Sequence, residues 1–171
     1  MKKLITLSLV FLVLTGCARP VWETVSDTVP DVPVVAWQEK AYNIELGLPQ
    51  GVELLNSNAG WSLYTDEQGQ LQIETGTFLA ADLADAVKTI SGYDEQELNI
   101  LQTERFGLPE YQFAWVSASK EGSRVCRADL VMNGSDCYAV VCSTPEQAGN
   151  TFADEVRQTI STFGLYMDEG V

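Results

Sequence analysis

Apolar positions along this chain follow three rhythms. An almost unbroken apolar run spans Leu4 to Val13, period-two alternation dominates the middle, and two stretches repeat every three to four residues. Tyr42, Ile44, Leu46 and Leu48 alternate with Asn43, Glu45 and Gly47 and stop at Pro49, the pattern of a half-buried strand. Val52–Leu55 and Trp61–Thr65 read as further strands. The polar turn Asp66-Glu67-Gln68-Gly69-Gln70 then joins Trp61–Thr65 to Leu71–Phe78 as a hairpin; it lacks the residue order of an EF-hand loop. Leu79, Leu83, Val87 and Ile90 recur at helical spacing, and Gly92 is placed to end that helix. Leu98–Phe106 is compatible with a strand and is broken by Gly107-Leu108-Pro109.

From Tyr111 to Ser143 the sequence reads as a three-stranded meander, with turns at Lys120-Glu121-Gly122-Ser123 and Asn133-Gly134-Ser135. Centring the first turn on Glu121-Gly122 sets Tyr111 opposite Met132, Phe113 opposite Leu130 and Trp115 opposite Ala128. A three-residue second loop then sets Leu130 opposite Tyr138, Ala128 opposite Val140 and Cys126 opposite Cys142, whereas a two-residue Asn-Gly loop mixes the faces. Opposed cysteines on neighbouring antiparallel strands lie at about the 5.5 Å Cα spacing of a disulfide, so this register predicts a Cys126–Cys142 bridge and a free, buried Cys137. The same parity puts Gln112, Ala114, Val116, Val125, Arg127, Asp129, Val131, Cys137, Ala139 and Val141 on the other face. That mostly small, apolar surface with one charge pair is the candidate binding face, carried by Gln112, Ala114, Val116, Arg127 and Asp129. Cover by the domain's own helix or N-terminal segment is the reading that α+β architecture favours over an open face.

Thr144-Pro145-Glu146-Gln147 has the form of a helix start with a capping box. Ala148, Phe152, Val156, Ile160 and Phe163 form the helix's apolar stripe, and Gly164 ends it. A short acidic tail follows, expected to fray over residues 166–171.

The first run follows Lys2 and Lys3 and closes on Leu14-Thr15-Gly16-Cys17. It is too short to span a bilayer and fits the apolar part of a signal peptide. With its closing box it resembles a bacterial lipoprotein signal, which implies loss of residues 1–16 and a diacylglycerol thioether on Cys17. Residues 17–35, with Pro20, Pro30 and Pro33, read as a tether between lipid and domain, and Trp22 within it suits either an interface or solvent. Residues 36–165 read as a single α+β domain. The resemblance places the chain outside the cytoplasm, held to the cell membrane through lipid, and export makes a disulfide reasonable.

Loss of residues 1–16 removes two lysines and no acid, taking the formal charge from −14 to −16 over the remaining 155 residues. So acidic a surface repels phosphate backbones and anionic headgroups, which disfavours nucleic acid as a partner. There is no histidine, so Ser-His and Cys-His nucleophiles and the commonest zinc ligand are excluded. Cys126, Cys137 and Cys142 lack paired metal or redox spacing, and neither metal nor cofactor is expected. Trp37, Trp61 and Trp115 suit either stacking on a carbohydrate or peptide, or core packing. Asp82 with Asp85, and Glu95 with Glu97, read as surface acids, and Asn133-Gly134-Ser135 matches a glycosylation acceptor that its turn role already explains.

The order of elements, with Tyr42-Asn-Ile-Glu-Leu-Gly-Leu-Pro49-Gln-Gly51 at one end and Phe152–Phe163 at the other, resembles the PsbP-like fold family. The resemblance implies an antiparallel sheet of about six or seven strands with helices on its faces, and a binding or scaffolding role without chemistry. The expectation is therefore a lipid-anchored extracytoplasmic domain that binds a protein partner or small ligand and is not an enzyme. The alternative is an envelope hydrolase in which two carboxylates converge in a cleft.

Overall fold

The computed structural model describes residues 42–167. The signal box with Cys17, the tether, Trp22, Trp37 and residues 168–171 lie outside the described residues. Among the described residues, nine strands and two α-helices make up an α+β arrangement. The strands are β1 (Tyr42–Glu45), β2 (Val52–Asn58), β3 (Trp61–Asp66), β4 (Gln72–Leu79), β5 (Leu101–Arg105), β6 (Leu108–Ser119), β7 (Gly122–Asn133), β8 (Asp136–Pro145) and β9 (Gly164–Met167). The helices are α1 (Leu83–Ser91), between β4 and β5, and α2 (Ala153–Ser161), between β8 and β9.

A seven-stranded antiparallel sheet runs in the order β2-β3-β4-β8-β7-β6-β5. α1 carries the chain from β4 to the far edge, and three hairpins bring it back until β8 pairs with β4. β8 therefore lies near the middle and is buried along both faces. Cys137, Ala139 and Val141 join Ala86 and Val87 of α1 in one core; Tyr138, Val140 and Cys142 join Ile160 of α2 and Phe163 in the other. Burying a side chain such as Phe163, 2% exposed, contributes roughly 1.5–3 kcal/mol.

α1 begins where Asp82 Oδ1 accepts the Asp85 backbone N–H at 2.9 Å, and it ends at Gly92, whose φ of +78° makes the left-handed cap expected of it. Leu79, expected on the helix stripe, belongs instead to β4 and is 72% exposed. α2 starts later than the capping pattern implies. Thr144 and Pro145 finish β8, a 3₁₀ turn spans Glu146–Ala148, and Gly149 at φ +56° turns the chain before the helix. The tail also differs from its expectation, because Gly164–Met167 pairs with β1 from Gly164↔Glu45 to Met167↔Tyr42. Tyr42 fastens this ribbon to the sheet, its N–H donating to Tyr138 Oη at 3.1 Å with the two rings edge to face at 5.8 Å.

Both meander turns are two-residue loops. Ser119 pairs with Gly122 across Lys120-Glu121, so Tyr111 faces Leu130, Phe113 faces Ala128 and Trp115 faces Cys126. This slides the expected register by two and leaves the faces of β6 and β7 as read. Asn133 pairs with Asp136 across Gly134-Ser135, because Gly134 takes the left-handed φ of +61° as the first loop residue. That one-residue difference exchanges the faces of β8. Cys126 consequently pairs with Ser143, and Cys142 with Arg127, on the opposite side of the sheet. The expected Cys126–Cys142 bridge is thereby overturned: Cys126, Cys137 and Cys142 are all free and buried. Burial pushes Cys137 up to about 11 and Cys142 up to about 12, so all three thiols behave as small apolar groups.

Candidate binding face

The five residues of the candidate face come from two adjacent strands, β6 and β7. Their registers set Gln112 opposite Asp129, Ala114 opposite Arg127 and Val116 opposite Val125, one step from the sequence expectation of Ala114 against Asp129 and Val116 against Arg127. All lie on the α2 side of the sheet, where they divide into a covered and an open half. Asp129 is fully buried, whereas Ala114, Val116 and Arg127 are exposed.

The covered half is a polar cluster that also draws on β5. Arg105 Nε donates to Glu110 Oε1 at 2.5 Å, its Nη2 to Asp129 Oδ2 at 3.2 Å and its Nη1 to the Phe163 carbonyl at 2.8 Å. Its guanidinium also lies 5.5 Å from the centre of the Phe163 ring. Gln112 Nε2 donates to Asp129 Oδ2 at 3.4 Å, and the Thr103 hydroxyl donates to Glu110. Asp129 Oδ1 is buried without a partner. Burial first, and then the Glu110 charge, push Asp129 up to about 7 against the pull of Arg105. Burial raises Glu110 as well, but hydrogen bonds from Thr103 and Arg105 and the Arg105 charge outweigh it and hold Glu110 below its ordinary range. A proton held by the pair therefore resides on Asp129 rather than Glu110.

These two carboxyls converge as a hydrolase's would, yet they do so in the interior. Asp129 is fully buried and Glu110 is 5% exposed, which leaves no approach for a substrate between them. Asp82 and Asp85 cap α1, and Glu97 accepts the backbone N–H of Asp94 in a capping box. Among the described residues no group of His, Cys, Asp or Glu could hold a metal ion, and no helix is long and apolar enough to cross a membrane.

The open half begins where α2 stops covering the sheet. Leu101, Val116 and Val125 remain 58%, 44% and 42% exposed. A groove of about 330 Å³ separates this surface from the start of α2, with Ala114, Val125 and Cys142 on one wall and Phe152 and Val156 on the other. Arg127 and Arg157 border it. Only six Lys or Arg residues occur between 42 and 167, so two at one groove is a concentration of positive charge on an acidic protein. Arg157 is shared with Asp154 at 2.8 Å, while Arg127 makes no ion pair among the described residues. Sequence parity placed Ala114, Val116 and Arg127 on this side; it left out Glu110 of β6 itself, and Arg105 and Arg157, which reach this side from β5 and α2.

No family profile and no curated protein matches this chain. Solved structures do resemble it. A protein from Bacteroides thetaiotaomicron superposes with a TM-score of 0.52 at 8% identity, over 74% of this chain and 46% of its own, so the chain spans about half the length of that protein. LpqN of Mycobacterium tuberculosis, described as involved in cell envelope biogenesis, gives 0.49 at 11% identity over 76% of this chain and 87% of its own. The cyanobacterial PsbP of a Synechocystis species gives 0.43 at 15% identity, over 72% and 92%. At such identities the likeness is one of fold.

Proposed function

We propose that this chain is a lipid-anchored, extracytoplasmic binding module that takes an apolar ligand or partner segment bearing an anionic group on the open half of the β6–β7 face. The observation that carries this reading is the groove itself: exposed Ala114 and Val125, with Val116 next to them on the strand, beside the guanidinium of Arg127, which makes no ion pair among the described residues. An apolar wall supplies affinity in proportion to the area it buries, and an arginine at its border fixes an anion with direction. The lipoprotein box ending at Cys17 supports the anchored address. Convergent acids locked inside the protein favour binding over hydrolysis.

The probe that tests the groove is 8-anilino-1-naphthalenesulfonate, an apolar body with one anion. Fluorescence titration should show one saturable site, and Arg127→Glu should weaken it by about tenfold or more, given roughly 1.5–3 kcal/mol for a charge-assisted hydrogen bond. Titrations that coincide for the two proteins would overturn the assignment.

A further inference from the structure

On the opposite face the sheet also runs out beyond its helix, and the surface left there has different chemistry. Two adjacent cavities of about 530 and 390 Å³ lie along this end of the sheet, the smaller reaching the C-terminal end of α1, and share Gln72 and Arg124 in their walls. Both volumes lie in the usual range of ligand sites, about 300–1,000 Å³. Trp61, Trp115 and Ile90 provide the apolar surfaces. The remainder is dominated by amides and hydroxyls, among them Gln70, Gln72, Ser117, Ser119, Ser123 and Gln147.

The charges in these walls narrow the ligand class. Arg124 is occupied by the protein itself: Nε donates to Ser143 Oγ at 3.0 Å, and Nη2 donates to the carbonyls of Gln70 and Ser143, both at 2.8 Å. It pins the β3–β4 turn to β8 and is not free to grip an anion. Glu74 remains as an acceptor in the wall of one cavity and Glu121 in the wall of the other. Glu74 is half-buried, and burial pushes its carboxyl above the ordinary range against the pull of Arg124, so a donated hydroxyl would offset lost hydration. Trp61 is held as a fixed platform. Its ring lies so close over Gly76 that a Cβ there would fall 2.4 Å from Trp61 Cδ2, and it stacks on Phe78 at 5.6 Å and 21°.

The geometry points to a binding groove for a neutral oligosaccharide, with the sugar's apolar face against Trp61 and its hydroxyls bridging Glu74, Gln72 and the serines. Rigid aromatic surface, many neutral hydrogen-bonding groups and no free cation form the complement of such a ligand and of few others. The site lies across the sheet from Arg127 and is independent of the β6–β7 face.

Calorimetric titration of the full-length protein in a non-glycosidic detergent with chitotriose, maltotriose, cellotriose and laminaritriose tests this directly. At least one should bind saturably below about 10 mM, with Trp61→Ala weakening it at least about tenfold, the equivalent of about 1.4 kcal/mol. Because removal of Trp61 also disturbs its packing on Phe78, two further variants are needed. Glu74→Gln should weaken binding several-fold and Ser117→Trp should block the groove, while Glu53→Gln on the distant β2 edge should change nothing. Absence of binding by all four sugars, or binding indifferent to both Glu74→Gln and Ser117→Trp, would overturn the proposal. So would Glu74-dependent binding of pentalysine without binding of any sugar, which would make the groove a cationic-peptide site.

Discussion

Asp129 meets Gln112 of the adjacent β6 and Arg105 of β5 beyond it, with Glu110 close by, and its Oδ1 has no hydrogen-bond partner. A carboxylate there is stabilised on one oxygen only, and burial penalises its charge. Its folded value of about 7 lies above the ordinary 3.8, so its contribution to stability is present below about pH 4 and is lost as pH rises through 7. Glu110 runs the other way: held low, it contributes above its ordinary value and loses that contribution as pH falls below it. Between pH 5 and 8 the Asp129 effect therefore dominates, at no more than about 1.4 kcal/mol per pH unit. Thermal unfolding followed by circular dichroism should show the melting temperature falling across that window, and Asp129→Asn should flatten the curve. Parallel curves for the two proteins would show that Asp129 is already charged.

Element boundaries and strand faces were legible where one side of an element is wet, and illegible where neither is. β6 alternates buried Phe113 and Trp115 with exposed Ala114 and Val116, so its parity and that of β7 survive a two-residue slide in register. β8 offers no such contrast: Cys137, Ala139 and Val141 are as apolar as Tyr138, Val140 and Cys142, and either face assignment satisfies burial. The turn had to decide, and the decisive residue was Gly134, which takes the positive φ and leaves Asn133 in the strand. The expected disulfide failed with that single step. Thr144-Pro145 failed for a related reason, since a capping pattern is local, whereas pairing with Val125 and Arg124 of β7 extends the strand through both residues. The polar cluster was hidden because it is assembled across strands; the one trace in sequence was inward parity for Glu110 and Gln112 on β6, next to Thr103 and Arg105 on β5. The open half of the face was legible as a surface, but its arginine border depended on where α2 begins.

At the scale of the whole molecule, an acidic domain leaves both faces of its sheet uncovered at one end. Each nine-residue helix is shorter than the twelve-residue strands β6 and β7, so one end of each face is left open. The address rests on Cys17, and metabolic labelling with radioactive palmitate should mark the wild-type chain and not Cys17→Ser; equal labelling of both would refute lipidation at that residue. On the proposed function, an anchored chain would present the β6–β7 face to other envelope components, with Arg127 the group that would favour anions. The most direct measurement is photo-crosslinking in intact cells, with a benzophenone amino acid placed at Val116 in the anchored protein and, as a control, at Glu67 in the β3–β4 turn. A discrete adduct from position 116 that disappears with Arg127→Glu and is absent from position 67 is the predicted result. The same adducts from both positions, or an adduct from 116 unaffected by Arg127→Glu, would contradict a binding role for this face.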